Sequence, residues 1–406
     1  MNRNLNINID GATWPGPTLL PAFPATFVNG VTPYDLNIPA MLLTIGFLTT
    51  PTSSTGVSLS EFWAWVRYTA AISNDANMSV TQSFAELDAH QKTILSDDFG
   101  MGVPILWLMD KLNLEEIVDG RYFMQKIAAS VGATQTRTAK RGPNKTPDFV
   151  ARDENGLWHV IECKGTQSGS DARRKQIGTL LPQLTGGIAQ KRSIVFPATH
   201  TGQRLVCALS IGIEGGTGSE LKIVDPEPDE PFIVDQNQLV FARDAAKRGV
   251  MARALRMSGY EATAEAVASP LGRGPDSVRA TSTIAEQERV QMVKLRSERS
   301  RAELQDDRDH QAVFDDQYRG RQLTIELPRG IVVDNRTVKQ VIVRQGVNRE
   351  ALEELEVEPT IEDVVDENNA AWTGLLGRTT VKPDGPSAVL SIGNVFRSEI
   401  ILVQRE

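Results

Sequence analysis

The chain is 406 residues long, 40% apolar and 23% charged, the proportions of a soluble globular protein with room for two or three domains. Its two cysteines, Cys163 and Cys207, fall inside predicted strands and lack metal-ligand spacing, which argues for reduced core residues and against a zinc site. No basic segment followed by an apolar core opens the chain, and the most apolar run, Ala40 to Leu48, is too short to span a bilayer, so the expectation is a cytoplasmic protein with no membrane contact.

Residues 1–58 contain several Pro, Gly, Asn and Thr, show no long helical period, and read as an irregular N-terminal arm. A helical domain is expected over 59–112. Ser60 is placed to cap a helix carrying Phe62, Trp63, Val66 and Tyr68, with further helical units from Phe84 to Gly100 and from Val103 to Leu112. Within it, His90, Gln91, Asp97 and Asp98 admit two readings: a metal or acid–base cluster, or a capping or core histidine beside the helix-capping run Ser96-Asp97-Asp98. The next domain, 113–235, is expected to open on a helix over Asn113 to Gly132, where Tyr122, Phe123, Ile127, Ala128 and Val131 recur at helical spacing. The loop that follows carries Arg137, Lys140, Arg141 and Lys145, and reads as a phosphate-contacting loop or as a merely solvated one.

From Thr146 to Thr166 the pattern is that of a β-hairpin. Phe149-Val150 and Leu157 to Ile161 are rich in β-branched and aromatic residues, and Asn155-Gly156 between them is a turn signal. Alternation along a strand puts Glu162 and Lys164 on one face, and folding back at the turn brings Asp148 alongside them. Two carboxylates can hold a hard cation such as Mg²⁺, which lowers the pKa of a bound water and neutralises charge on a phosphate. A lysine beside them can orient hydroxide, relay its proton or stabilise an oxyanion.

Pro147-Asp148 followed by Glu162-Cys163-Lys164, with thirteen residues between the carboxylates, resembles the PD-(D/E)XK, or restriction-endonuclease-like, nuclease superfamily. The resemblance implies Asp148 and Glu162 as metal ligands, Lys164 as the catalytic lysine, Mg²⁺ as cofactor with Mn²⁺ as its substitute, and DNA as the partner. Many members carry a further acidic residue on the first core helix; Arg121 to Gly132 has no carboxylate, so Glu115, Glu116 or Gln125 takes that place, with Glu116 preferred as a third metal ligand.

Beyond Lys164, a polar turn leads to a predicted helix from Asp171 on which Arg173 and Gln176 are candidates to touch nucleic acid. Strands are expected at Ser193 to Pro197, Arg204 to Ile211 and Leu221 to Val224, completing a small α/β core with a mixed sheet flanked by helices. A helical region and linker fills 236–320. In it Arg243, Lys247, Arg248, Arg253 and Arg256 read either as a basic stripe extending the nucleic-acid surface or as a solvated face, and Thr283 to Asp309 as a long exposed helix offering one side of a dimer seam. A β-rich C-terminal domain is expected over 321–406, and its acidic stretch, nine carboxylates and no cation from Glu350 to Glu367, points to a partner protein or to solvent rather than nucleic acid.

Charge is unevenly shared. The formal net charge is −8, yet residues 121–200 hold thirteen Lys or Arg against five Asp or Glu, an excess of eight that leaves −16 elsewhere. A basic island around the carboxylate–lysine group is what backbone neutralisation requires. The expectation is an α+β protein acting as a metal-dependent deoxyribonuclease in restriction or defence against foreign DNA. Its alternative is an inactive nuclease-fold module for nucleic-acid binding or complex assembly; under either reading the helical and C-terminal regions are expected to serve a homodimer or a partner protein.

Overall fold

Polar and apolar residues alternate from Asn2 to Ile9, and this period of two lays Leu5, Ile7 and Ile9 on the buried face of a strand, β1 (Asn2–Ile9). It belongs to a seven-stranded mixed sheet in the computed structural model of the chain, which describes residues 1–406 except 17–18, 54–59, 131–145, 168–193, 226–231, 269–282, 307, 309, 335, 360–362 and 406. The other strands are β2 (Gly30–Asn37), β3 (Leu114–Asp119), β4 (Phe149–Asp153), β5 (Trp158–Thr166), β6 (Thr201–Ser210) and β7 (Glu220–Val224), in the order β2-β1-β7-β6-β5-β4-β3. β1 runs parallel to β7 and β5 parallel to β6, while the remaining neighbours are antiparallel. Residues 1–58 are therefore no irregular arm, because two of the seven strands come from them. The helix expected from Asn113 is likewise corrected. Leu114, Ile117 and Val118 are buried in strand β3, which pairs with β4, and the helix α3 (Gly120–Ser130) begins only after it.

Two earlier helices support this sheet. Asn37 caps α1 (Ile38–Thr49), its side chain accepting from the Ala40 backbone N–H at 3.0 Å. Every residue from Ile38 to Leu48 is buried, the mark of a helix apolar all round and covered on all sides. It lies between α2 (Ala89–Lys111) and a second sheet. That sheet consists of β8 (Gln311–Val313), β9 (Tyr318–Val333), β10 (Arg336–Asn348), β11 (Thr379–Asp384), β12 (Ser387–Ile392) and β13 (Phe396–Arg405). Its order is β8-β9-β10-β13-β12-β11, antiparallel throughout. The β-rich C-terminal region is thus present, starting about ten residues earlier than expected. A continuous apolar core runs through both sheets, from Leu5 and Ile7 to Ile400 and Leu402.

The helices α4 (Leu239–Met257), α5 (Glu261–Ala268) and α6 (Thr283–Gln305) lie between the sheets in sequence. Three of the five cations expected on one stripe of α4 are buried and internally bonded. Arg253 donates to the backbone oxygens of Thr50 and Ile117 and, at 2.6 Å, to the Asp119 carboxylate. Arg248 donates to Asp244 at 2.7 Å, and Arg256 is paired with Glu261. Arg253 thus braces α4 against β3 and the end of α1, while Arg248 and Arg256 are held within α4 and by α5; a buried arginine survives only when such partners replace its water. Among the described residues, no helix is long and apolar enough to cross a membrane.

Candidate active site

The site is built on the β4–β5 hairpin. At its turn, the Asp153 carboxylate accepts from the backbone N–H groups of Asn155 at 2.9 Å and Leu157 at 2.8 Å. Gly156 takes a φ of +79°, a left-handed conformation that glycine adopts without strain. This local chemistry fixes the register, with Val150 opposite Val160 and Phe149 opposite Ile161. One step further out, at the open end, Asp148 faces Glu162. The Asp148 carboxylate accepts from the Cys163 backbone N–H at 2.7 Å, while its backbone oxygen takes the Gly120 N–H at 3.0 Å. Lys164 places its ammonium 2.7 Å from Glu162 Oε1, with the two side chains 33% and 13% exposed. The three residues expected to meet do stand together.

The electrostatics of the group favour the charged form of the lysine. Burial works against the Lys164 ammonium, but the Glu162 and Asp148 carboxylates and the hydrogen bond to Glu162 outweigh it and hold its pKa above the ordinary lysine value. With one ammonium against two carboxylates, the trio carries one negative charge in excess. Hard oxygen donors on adjacent strands, partly exposed and short of positive charge, fit a divalent cation such as Mg²⁺.

The helix α2 closes on the same place. A Cβ on Gly165 would stand 1.6 Å from the Ser96 backbone oxygen, and one on Gly100 only 2.5 Å from the Gly165 nitrogen, so helix and strand touch backbone to backbone. From α2, the exposed Asp97 comes within electrostatic reach of Lys164; burial raises the Asp97 pKa and the lysine pulls it back. Its neighbour Asp98 turns to the other side, where it accepts a short hydrogen bond from the Tyr68 hydroxyl. Burial pushes the Asp98 carboxyl up to about 6, Tyr68 opposing and Asp97 adding to the rise. Among the described residues, no three His, Cys, Asp or Glu side chains form a group that could hold a metal. Asp97 thus stands near the pair without joining Asp148 and Glu162 in such a group.

Glu116, the preferred third ligand, is not brought there. It lies opposite Arg152, four strand positions from the level of Asp148, or roughly 13 Å at 3.3 Å per residue. Its buried carboxylate is 3.4 Å from the Arg152 guanidinium. Glu115 is 3.7 Å from the same group, and Gln125 is exposed on α3. His90 and Gln91 belong to the first turn of α2, where Asp88 accepts their backbone N–H groups. Arg137, Lys140, Arg141, Lys145, Arg173 and Gln176 lie outside the described residues. The approach of Asp97 and the Tyr68–Asp98 bond had one legible signal in the sequence, a pair of acidic residues in the middle of an otherwise amphipathic helix. Which of the two faces the hairpin is decided by the Gly100–Gly165 contact. No protein-family profile, no curated protein and no solved structure matches the chain.

Proposed function

We propose that the chain is a metal-dependent phosphodiesterase acting on DNA, a nuclease of the PD-(D/E)XK type that works in the cytoplasm in restriction or defence against foreign DNA. One observation carries this reading: the Lys164 ammonium lies 2.7 Å from Glu162 while Asp148 stands opposite on the neighbouring strand, anchored by the Cys163 N–H. Asp148 and Glu162 would hold Mg²⁺, which when bound supplies an activated water and charge neutralisation at the phosphate. Asp148 is kept in place by its backbone hydrogen bond, so its carboxylate is preorganised toward Glu162. Lys164 brings a donor and a positive charge to the side on which negative charge grows as the phosphodiester is attacked. Asp97 extends the acidic environment from α2 toward Lys164.

The test is direct. Purified chain is incubated with supercoiled and linear DNA in Mg²⁺ and in chelator, beside Asp148→Ala and Lys164→Ala. Cleavage that needs metal and disappears in both variants supports the reading. Cleavage that persists in the variants, or none by the unaltered chain, refutes it.

A further inference from the structure

On α2, residues His90, Ile94 and Asp97 follow the spacing i, i+4, i+7 and so share one face; all three are exposed. The neighbouring face, about 100° round the helix and carrying Ser96 and Gly100, lies on the backbone of β5. One border of the exposed face is the candidate active site, where Asp97 meets the field of Lys164. The other border is the segment Phe62 to Ala71. Tyr68 bonds Asp98, and Arg67 donates to the Gln91 side chain at 2.7 Å.

That segment has unusual geometry. Trp63–Arg67 form a turn of π-helix, a form mostly found as single turns and often at functional sites. The turn holds Trp63 53% exposed and Phe62 40% exposed, and Ile94 on α2 is 42% exposed. Arg67 places its guanidinium carbon 5.5 Å from the Trp63 ring centroid and 5.6 Å from that of Phe84. A planar cation bordered by two rings, one of them an indole more than half open to solvent, is a surface built for a flat, electron-rich ligand attached to an anion.

We propose that Trp63, Arg67 and Phe84, continued by the His90–Ile94–Asp97 face, form a track that seats an unpaired nucleic-acid strand and leads it to Asp148, Glu162 and Lys164. The inference rests on the phosphodiesterase reading and specifies its substrate: nucleic acid with a single-stranded segment beside the scissile phosphate. Two features select this occupant. A base within a duplex has both faces covered by stacking, so only an unpaired base offers a ring face to Trp63. Arg67 also puts a cation at the ring-lined end, which suits a phosphate-bearing strand and not an apolar peptide, while at the net-negative far end phosphate would be met by the divalent cation of the phosphodiesterase reading together with Lys164. From Gln91 to Asp97 the helix rises about 9 Å at 1.5 Å per residue, a span of about three base steps at 3.4 Å per step.

Fluorescence anisotropy of labelled oligonucleotides, measured in chelator so that nothing is cleaved, tests the track. The probes are a twelve-nucleotide single strand, the same sequence as a blunt duplex, and the duplex with a single-stranded overhang. The expected result is single strand and overhang bound about tenfold more tightly than blunt duplex, with Trp63→Ala removing about tenfold of that affinity and Trp63→Phe restoring most of it. Arg67→Ala is expected to weaken binding and flatten its salt dependence. Circular dichroism of each variant establishes that the fold is kept. Equal affinity for blunt duplex, or single-strand binding untouched by Trp63→Ala in a folded protein, overturns the proposal. Trp63-dependent binding with no metal-dependent cleavage would sink the phosphodiesterase reading and leave the track standing; cleavage with no Trp63 effect does the reverse.

Discussion

The two ends of the β4–β5 hairpin are a few residues apart in sequence and opposite in character. At the turn, charges are consumed by structure. Asp153 takes two backbone N–H groups on one oxygen and lies 3.3 Å from the His159 ring on the other, and Glu116 is buried beside Arg152. At the open end, Asp148, Glu162 and Lys164 stay partly exposed, and the carboxylates outnumber the ammonium. Acidic residues of the same type are therefore bound into the scaffold at one end and left open to solvent at the other. What separates them is solvent access and charge balance, not residue identity.

The widest disruption is expected where the open end is backed by α2. Gly165→Ala forces a methyl group into the Ser96 backbone oxygen, and should lower stability by about 3 kcal/mol or more in denaturant unfolding. Full stability in that variant would deny that helix and strand touch. Next comes Asp148→Asn, which keeps shape and removes charge. Metal-dependent cleavage should fall by about a hundredfold or more, equivalent to about 2.7 kcal/mol of barrier, with the unfolding midpoint nearly unchanged. The mirror experiment is Asp153→Ala at the turn. It orphans two backbone donors and should cost about 2 kcal/mol of stability while leaving the cleavage rate of the folded fraction intact. If Asp153→Ala abolished cleavage and Asp148→Asn only destabilised, the comparison would be inverted.

A smaller effect distinguishes Asp98 by its pH dependence. Its carboxyl titrates near 6 in the folded chain against an ordinary 3.8, so the folded state binds the proton more tightly and stability falls as pH rises between those values. Asp98→Asn, which still offers Tyr68 an oxygen, should match the parent near pH 4 and become more stable by about 1 kcal/mol above pH 7. A pH-independent difference in thermal midpoints would contradict this. Smallest of all is Glu116→Gln. With its carboxylate roughly 13 Å along the strand from Asp148, cleavage should be unaltered in an assay able to resolve a twofold change.

Local signals carried most of what the sequence revealed. The hairpin was legible because Asn155-Gly156 and the flanking Val and Ile residues specify a turn and a register within twenty residues, and a period of two then groups Asp148, Glu162 and Lys164. What stayed hidden depends on distant partners. Nothing near Asn2 announces that β1 will run parallel to β7, more than two hundred residues later, and the alternation of Leu5, Ile7 and Ile9 is a strand pattern in itself, which the reading of an irregular arm passes over. Leu114 to Asp119 is short enough to pass for a helical turn until β4 pairs with it. Arg248, Arg253 and Arg256 read as a basic stripe because their acceptors, Thr50, Ile117, Asp119 and Asp244 among them, come mostly from elsewhere in the chain.

A helix without a wet side has a bearing on how this chain can be divided. α1 packs against α2 and against β11, β12 and β13 at once, so cutting away the C-terminal strands would strip cover from part of its wholly apolar surface and leave a fragment prone to clumping. The half that carries the mixed sheet and the antiparallel half are thus obliged to mature together, and a soluble N-terminal portion is better sought by co-producing the two portions than by truncation.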